Sequence, residues 1–292
     1  MATGHSRKSN ELEAQHHGYE HLAFKNTYLN RLFTRIALRT TGRFYARNGP
    51  CVPISKHRIV KAGDLVHLTE AATMQFVANH TSIPVPKIYC SFIWNNRAYI
   101  VMESIQGEPL SNAWSRLSET ARQSIFTQIR DYIDELRRIE PPGPQVQSSV
   151  GGSLRDLRIG HGYPRFGPFN SIREFHFWLR EGMVDSSEAH KGINEEERQE
   201  MQKMITMQDK DRPMPVFTHG DLNPTNIIVR GEKIVGFVDW EFSGWFPDYW
   251  EYTTAYCGNV VTTDWQGLIH NFLDEFPDEL AMEIIRHKWW GE

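Results

Sequence analysis

The chain has 292 residues, 40% hydrophobic, 12% aromatic and 23% charged, a globular composition that excludes a disordered or fibrous class. Its 32 basic and 36 acidic residues give a net charge of −4, against the overall basic bias of a dedicated nucleic-acid binder. No apolar run spans a membrane, no secretory leader opens the chain, and Cys51, Cys90 and Cys257 match neither a disulfide framework nor a zinc pattern. A cytoplasmic protein without nucleic-acid or membrane partners is therefore expected.

Residues 1–26 are polar and predict a frayed or loosely docked arm. Leu29, Leu32, Phe33 and Ile36 then recur at helical spacing, with Arg31, Arg35 and Arg39 on another face, which reads as a solvated basic stripe. Ile59-Val60-Lys61 reads as a strand and Leu68–Asn79 as a helix stopped by Pro84 and Pro86. The β-rich runs 88–93 and 98–102 flank Trp94-Asn95-Asn96-Arg97 and predict a hairpin.

Beyond Gly107 the pattern turns helical. Ser118 can cap a helix with the stripe Ala121, Ile125, Ile129, Tyr132, Ile133, Leu136 and Ile139, ended by Pro141-Pro142. The segment from Pro141 to Pro168 reads as loop. Its glycines, among them Gly151, Gly152, Gly160, Gly162 and Gly167, follow a helix and precede no GKS or GKT, so they make a surface or substrate loop rather than a phosphate loop. Helices follow over 171–180, over 194–207 and from Pro247 onward, where Trp245, Tyr249 and Trp250 read as core.

Chemistry concentrates in residues 216–244. Ile227–Val229 and Ile234–Val238 form a hairpin. A turn tip at Glu232-Lys233 would set Asn226 opposite Asp239 at the open end, with Asp221 in the loop before the first strand. Such hard oxygen donors suit Mg²⁺ together with phosphate oxygens and water.

His219-Gly220-Asp221, followed after four intervening residues by Asn226, resembles the H-G-D-x-x-x-x-N loop of the aminoglycoside-phosphotransferase and choline-kinase-like family. Val238-Asp239-Trp240-Glu241 resembles that family's D-x-[DE] metal segment. Residues 79–87 and 244–252 look most like the branch common in fungi. The resemblance implies an α+β, two-lobed, protein-kinase-like fold: a small antiparallel sheet lobe with one helix and a larger, mainly helical lobe. Division is expected into an arm over 1–43, a nucleotide lobe over 44–105 and a helical lobe over 106–292. It further implies ATP and Mg²⁺, with Asp221 as catalytic base and Asn226 and Asp239 as metal ligands. Lys61 would bind the α/β-phosphates and Glu70 would be its partner. Glu103, Ser104 and Ile105 would form the adenine hinge. The acceptor would be a small-molecule hydroxyl. His219 is expected to be structural. Residues 42–53 contain no G-x-G-x-x-G, and Pro50 and Pro53 have no amide to offer a phosphate. Two alternatives stand beside this reading: a catalytically silent or regulatory binding protein on the same scaffold, and a kinase-fold enzyme with different chemistry.

Overall fold

Thr27 accepts from the Asn30 amide and so caps α1 (Tyr28–Arg39), the first helix of the computed structural model, which describes residues 15–159, 165–188, 193–258 and 263–291. Strands β1 (Cys51–Ser55) and β2 (Arg58–Gly63) follow, then α2 (Leu68–His80), β3 (Ile88–Trp94) and β4 (Arg97–Glu103). They form one antiparallel sheet in the order β1-β2-β4-β3. Pro53 is tolerated because β1 is an edge. Asn95 and Asn96 take positive φ angles of 49° and 53° in the β3–β4 turn, a conformation Asn accepts more readily than most residues.

Both faces of this sheet are covered. On one, Leu68, Met74 and Val77 of α2 share a core with Ile88, Ile100 and Met102. On the other, Leu38 of α1 packs with Val60, Phe92 and Val101. Within residues 44–105 the sheet thus carries α2 as its one helix, as expected, and α1 from the preceding segment covers the opposite face.

Residues 104–107 lead into the helical lobe through β5 (Glu108–Pro109) and α3 (Leu110–Ala113) to α4 (Glu119–Arg137), which buries Ala121, Ile125, Ile129, Ile133 and Leu136 of the expected stripe and leaves Tyr132 and, beyond the helix end, Ile139 half-buried. The Gly/Pro/Ser-rich loop contains no helix or strand in its described part and is tacked down by bridges from Val146 to Phe169, Leu154 to Phe166 and Gln147 to Trp245. Gly160 and Gly162 lie outside the described residues. Helices α5 (Ile172–Leu179) and α6 (Glu195–Gln208) come next; Asn194 and Glu197 cap the latter reciprocally. Then follow β6 (Val216–Thr218), β7 (Ile227–Arg230), β8 (Lys233–Phe237) and β9 (Gly244–Phe246). The chain ends with α7 (Trp250–Cys257), α8 (Thr263–Gln266) and α9 (Pro277–Trp290). Small sheets β5-β7-β8 and β6-β9 frame the loop that carries Asp221. Trp245, Tyr249 and Trp250 are buried, as core residues.

Two expectations need correction. The described part of the arm, residues 15–24, is not loose. Gln15 offers its carbonyl to His67 Nε2 at 3.0 Å, the Tyr19 hydroxyl meets Ser153 Oγ at 2.8 Å, and Phe24 and Ser91 exchange backbone bonds of 3.1 and 2.8 Å. These anchors are single residues in irregular chain, which leaves no periodic signal to read. Secondly, the β7–β8 turn tip is Gly231-Glu232, because Arg230 pairs with Lys233, and a bulge follows at Ile228/Val229. Gly231 takes φ +62°, the left-handed position that a tight hairpin turn needs. Asn226 therefore lies opposite Val238, whose amide donates to its carbonyl at 2.9 Å, and Asp239 is the next residue along.

Candidate active site

Lys61 lies on β2 with a nearly buried side chain, and Cys51 pairs with it across β1. Its ammonium is 3.0 Å from Glu70 Oε1 on α2, 2.6 Å from Asp239 Oδ1 and 3.3 Å from Glu241 Oε2. Carboxylate oxygens of Glu70, Asp239 and Glu241 come within 4.8 Å of one another. A basic strand of one lobe is thus clasped by acids of both. Burial works against the ammonium, but the three carboxylates outweigh it and hold the Lys61 pKa well above its ordinary value. Burial pushes Glu70 up to about 8, opposed by Lys61 and aided by Asp239 and Glu241. Glu70 Oε2 is buried and has no hydrogen-bond partner.

Asp239 adopts φ 66° and ψ 59°, the left-handed region, directly before the short turn Trp240–Phe242. That conformation is uncommon outside glycine, and it ends β8 so that the Asp239 carboxylate meets Lys61. The side chain of Asp239 is 36% exposed, so it opens to the cleft while Glu70 does not.

Asp221 lies between β6 and β7, 8% exposed. Its Oδ1 accepts from Asn223 Nδ2 at 2.8 Å and its Oδ2 from Asn226 Nδ2 at 2.7 Å. These bonds orient the carboxylate and leave Asn226 Oδ1 as that residue's remaining hard donor. Burial raises the Asp221 carboxyl to about 6, with Asp239 and Glu241 adding to the rise and the two asparagines opposing it.

The loop is held from beneath. His219 N–H donates to Glu251 Oε2 at 2.6 Å and Gly220 N–H to Glu251 Oε1 at 3.1 Å. Burial pushes this carboxyl up to about 7, against the pull of the two amides. Gly220 has φ +83°, and a Cβ there would overlap the Phe242 carbonyl, so both conformation and space demand glycine. His219 accepts from the Asp221 amide at Nδ1 (3.2 Å) and bonds the Val238 carbonyl through Nε2 (3.2 Å). These partners assign the neutral tautomer with hydrogen on Nε2, and burial lowers its pKa to about 4. His219 therefore ties loop to strand, as the sequence suggests.

The segment Glu103-Ser104-Ile105 ends β4 at the lobe junction. The Glu103 amide donates to Lys87 O at 2.9 Å and the Ser104 amide to His57 O at 3.0 Å. The Ile105 amide makes none of the described backbone bonds, while its side chain fills the space above Gly236 of β8.

The fold thus brings Lys61, Glu70 and Asp239 together, sets Asp221 on Asn226 beside them, and leaves Glu103–Ile105 at the junction. Four further residues bear on the site. Glu241 falls within the D-x-[DE] segment but has no role in the sequence reading. Asn223 orients Asp221, Glu251 supports the loop, and Arg155 pairs with Glu241 Oε1 at 3.1 Å. Asn223, two residues after an Asp, is discoverable as an Asx-type turn residue. Glu251 and Arg155 act across long stretches of chain and leave no local sign.

Comparison with known proteins gives the fold and the family. The chain is 24% identical over 205 residues to an aminoglycoside 3′-phosphotransferase of Niallia circulans; the match covers 69% of this chain and 65% of that relative, so the chain spans less than two thirds of its length. A thermostable mutant of aminoglycoside phosphotransferase APH(4)-Ia superposes with a TM-score of 0.56 at 12% identity, covering 81% of this chain and 79% of that one. The Streptomyces rimosus enzyme APH(3″)-Id, solved with ADP and streptomycin, superposes with a TM-score of 0.51 at 14% identity, covering 89% and 97%. The fold is thus the two-lobed α+β fold of kinase-like aminoglycoside phosphotransferases. The model of the phosphotransferase enzyme family matches residues 65–283, about three quarters of the chain, and the chain belongs to that family.

Proposed function

We propose that this phosphotransferase moves the γ-phosphate of ATP to a hydroxyl of a small molecule, with Mg²⁺. The observation that carries the reading is the Lys61 ammonium held between Glu70 and Asp239, beside a loop whose Asp221 is oriented by two asparagine amides. In this reading Asp221 takes the proton of the acceptor hydroxyl, whose oxygen attacks the γ-phosphorus while the bond to the β–γ bridging oxygen breaks and ADP leaves. Phosphoryl transfer passes through a loose transition state, so positioning and charge neutralisation supply most of the acceleration. Lys61 would hold the α/β-phosphates, Glu70 would fix Lys61, and the junction Glu103-Ser104-Ile105 would receive adenine.

Counting Glu70, Asp239, Glu241 and Asp221 against Lys61 and Arg155, acids outnumber cations in this cluster. That balance and the oxygen donors suit a divalent cation on Asn226 and Asp239, where it would neutralise phosphate oxygens. The aminoglycosides of the named relatives are the first acceptors to try. Membership in the branch common in fungi rests on segments 79–87 and 244–252.

The test is ADP release with Mg·ATP over an acceptor panel. Asp221→Ala should lower turnover by about 10²–10⁴-fold without unfolding the chain; wild-type turnover in that variant would remove the role. One observation favours the silent-scaffold reading: Asn48 and Cys51 close a tight turn through Gly49 and Pro50 ahead of β1, where a glycine-rich phosphate loop is expected. A melting midpoint unmoved by millimolar Mg·ATP would favour that reading, since a ligand of the folded state must raise it.

A further inference from the structure

Helix α1 turns its apolar side away from the protein. Tyr28, Leu29, Phe33 and Ile36 are 77%, 58%, 63% and 48% exposed. Leu29, Phe33 and Ile36 follow at i, i+4 and i+7, one continuous stripe. The helix is held to the sheet from its other side, by buried Thr34, by Leu38 in the small core and by Arg35 stacked 4.8 Å over Trp94. Large apolar side chains grouped this way on an outer surface mark an interaction site rather than incidental exposure.

The charge around the stripe says what covers it. Between Glu20 and Asp64 the sequence contains no acid, whereas Lys25 lies just before the helix, Arg31, Arg35 and Arg39 in it, and Arg43 and Arg47 after it. This is a basic island on a chain of net charge −4. Phe44, 89% exposed, extends the pattern immediately after the helix. Residues 1–14 are almost wholly polar, with Arg7 and Lys8 balanced by Glu11 and Glu13, so they are a poor cover for an apolar stripe. A second copy docked through the same face would set arginines against arginines. The stripe is also a ridge, on the outer side of a helix that itself lies outside the sheet. A ridge suits a surface that yields around it better than a preformed protein groove.

We propose that α1 is a docking surface for an anionic phospholipid bilayer, lying in the headgroup region with Leu29, Phe33 and Ile36 inserted and the exposed Lys25, Arg39 and Arg43 on lipid phosphates and carboxylates. Helices that lie on membranes combine these two elements, an apolar face and flanking cations. Among the described residues no helix is long and apolar enough to cross a membrane, so the contact is peripheral. It also leaves the cleft free, because α1 and the Glu70 helix α2 cover opposite faces of the sheet.

The test is co-sedimentation of the full chain with vesicles of phosphatidylcholine alone and of phosphatidylcholine mixed with phosphatidylserine. Binding should require phosphatidylserine and weaken as salt rises. Phe33→Glu should abolish it while leaving the melting midpoint and its Mg·ATP response unchanged; if that variant melts early, Leu29→Glu at the exposed start of the stripe replaces it. Arg39→Gln should weaken binding about fivefold. Failure to sediment with phosphatidylserine vesicles at low salt overturns the proposal and leaves an acidic protein as the partner. Undiminished binding by a folded Phe33→Glu chain overturns it too. So does a wild-type dimer that this substitution makes monomeric, which would make the face a self-interface.

Discussion

Glu251→Gln tests whether the catalytic loop is held from below. Glu251 is 2% exposed, and each of its oxygens takes one backbone amide, from His219 at 2.6 Å and Gly220 at 3.1 Å. A glutamine keeps the shape but offers only one acceptor, and its NH₂ must face the other amide. One buried N–H is then left unmade, at a cost of about 1–3 kcal/mol. At about 2 °C per kcal/mol for a chain of this size, the melting midpoint should fall by about 2–6 °C. Amide exchange at His219 and Gly220 should accelerate by a comparable free energy. Turnover should fall as well, because the Asp221 amide is fixed through His219 Nδ1. Calorimetry with hydrogen–deuterium exchange on the peptide covering 219–221 provides the readout, and Glu251→Asp, which keeps the charge on a shorter arm, should recover part of the loss. A Glu251→Gln chain with an unchanged midpoint and unchanged exchange would refute the support role.

Two further outcomes follow from the same loop. Gly220→Ala must place a Cβ on a left-handed backbone against the Phe242 carbonyl; the conformation alone costs about 1–2 kcal/mol, and displacement of the Phe242 backbone adds to it, so the denaturant midpoint should drop clearly. The proposed role of Asp221 as base fixes an expected pH dependence, because burial raises its carboxyl to about 6. A base works ionised, so kcat/KM should climb as pH rises through about 6 and level off above it. A profile that instead falls over this range would exclude Asp221 as the base.

Spacing alone places most elements. The helix from Leu68, the stripe of α4 and the β3–β4 hairpin stand where periodicity and turn chemistry put them. What fails, fails for identifiable reasons. A tip centred on Glu232-Lys233 ignores glycine's freedom at 231, which draws the β7–β8 turn back by one residue, and a bulge restores half of the shift. For α1 the period is legible and the direction is not: a repeat tells which residues share a face, but not whether that face meets the core. Here Thr34 and Leu38 face inward and the apolar stripe faces out. Lys61 meets Glu70 and also Asp239 across the cleft. Glu251, by contrast, supports the loop from α7 through backbone amides, a partnership that no residue pattern announces.

The loop that reads as a surface or substrate loop in the sequence binds the lobes together. Ser149 meets Thr73 of α2 at 2.9 Å, Ser153 meets Tyr19, and Arg155 pairs with Glu241 at 3.1 Å. Arg155 matters most, because the other oxygen of Glu241 holds Lys61. Arg155→Gln would leave Glu241 to Lys61 alone and add one uncompensated negative charge to the cluster. Both side chains of the pair retain about a fifth of their exposure, at 20% and 17%, so solvent limits the effect to about 1 kcal/mol. That corresponds to about a fivefold change, and its sign differs for the two ligands. A more acidic cluster should repel the triphosphate and attract the divalent cation. The nucleotide constant should therefore rise about fivefold at saturating Mg²⁺, while half-saturation by Mg²⁺ should shift to lower concentration. Titrations of each ligand at fixed excess of the other separate the two effects. Parallel weakening of both would mean that Arg155 supports the lobes mechanically and leaves the charge balance of the cleft untouched.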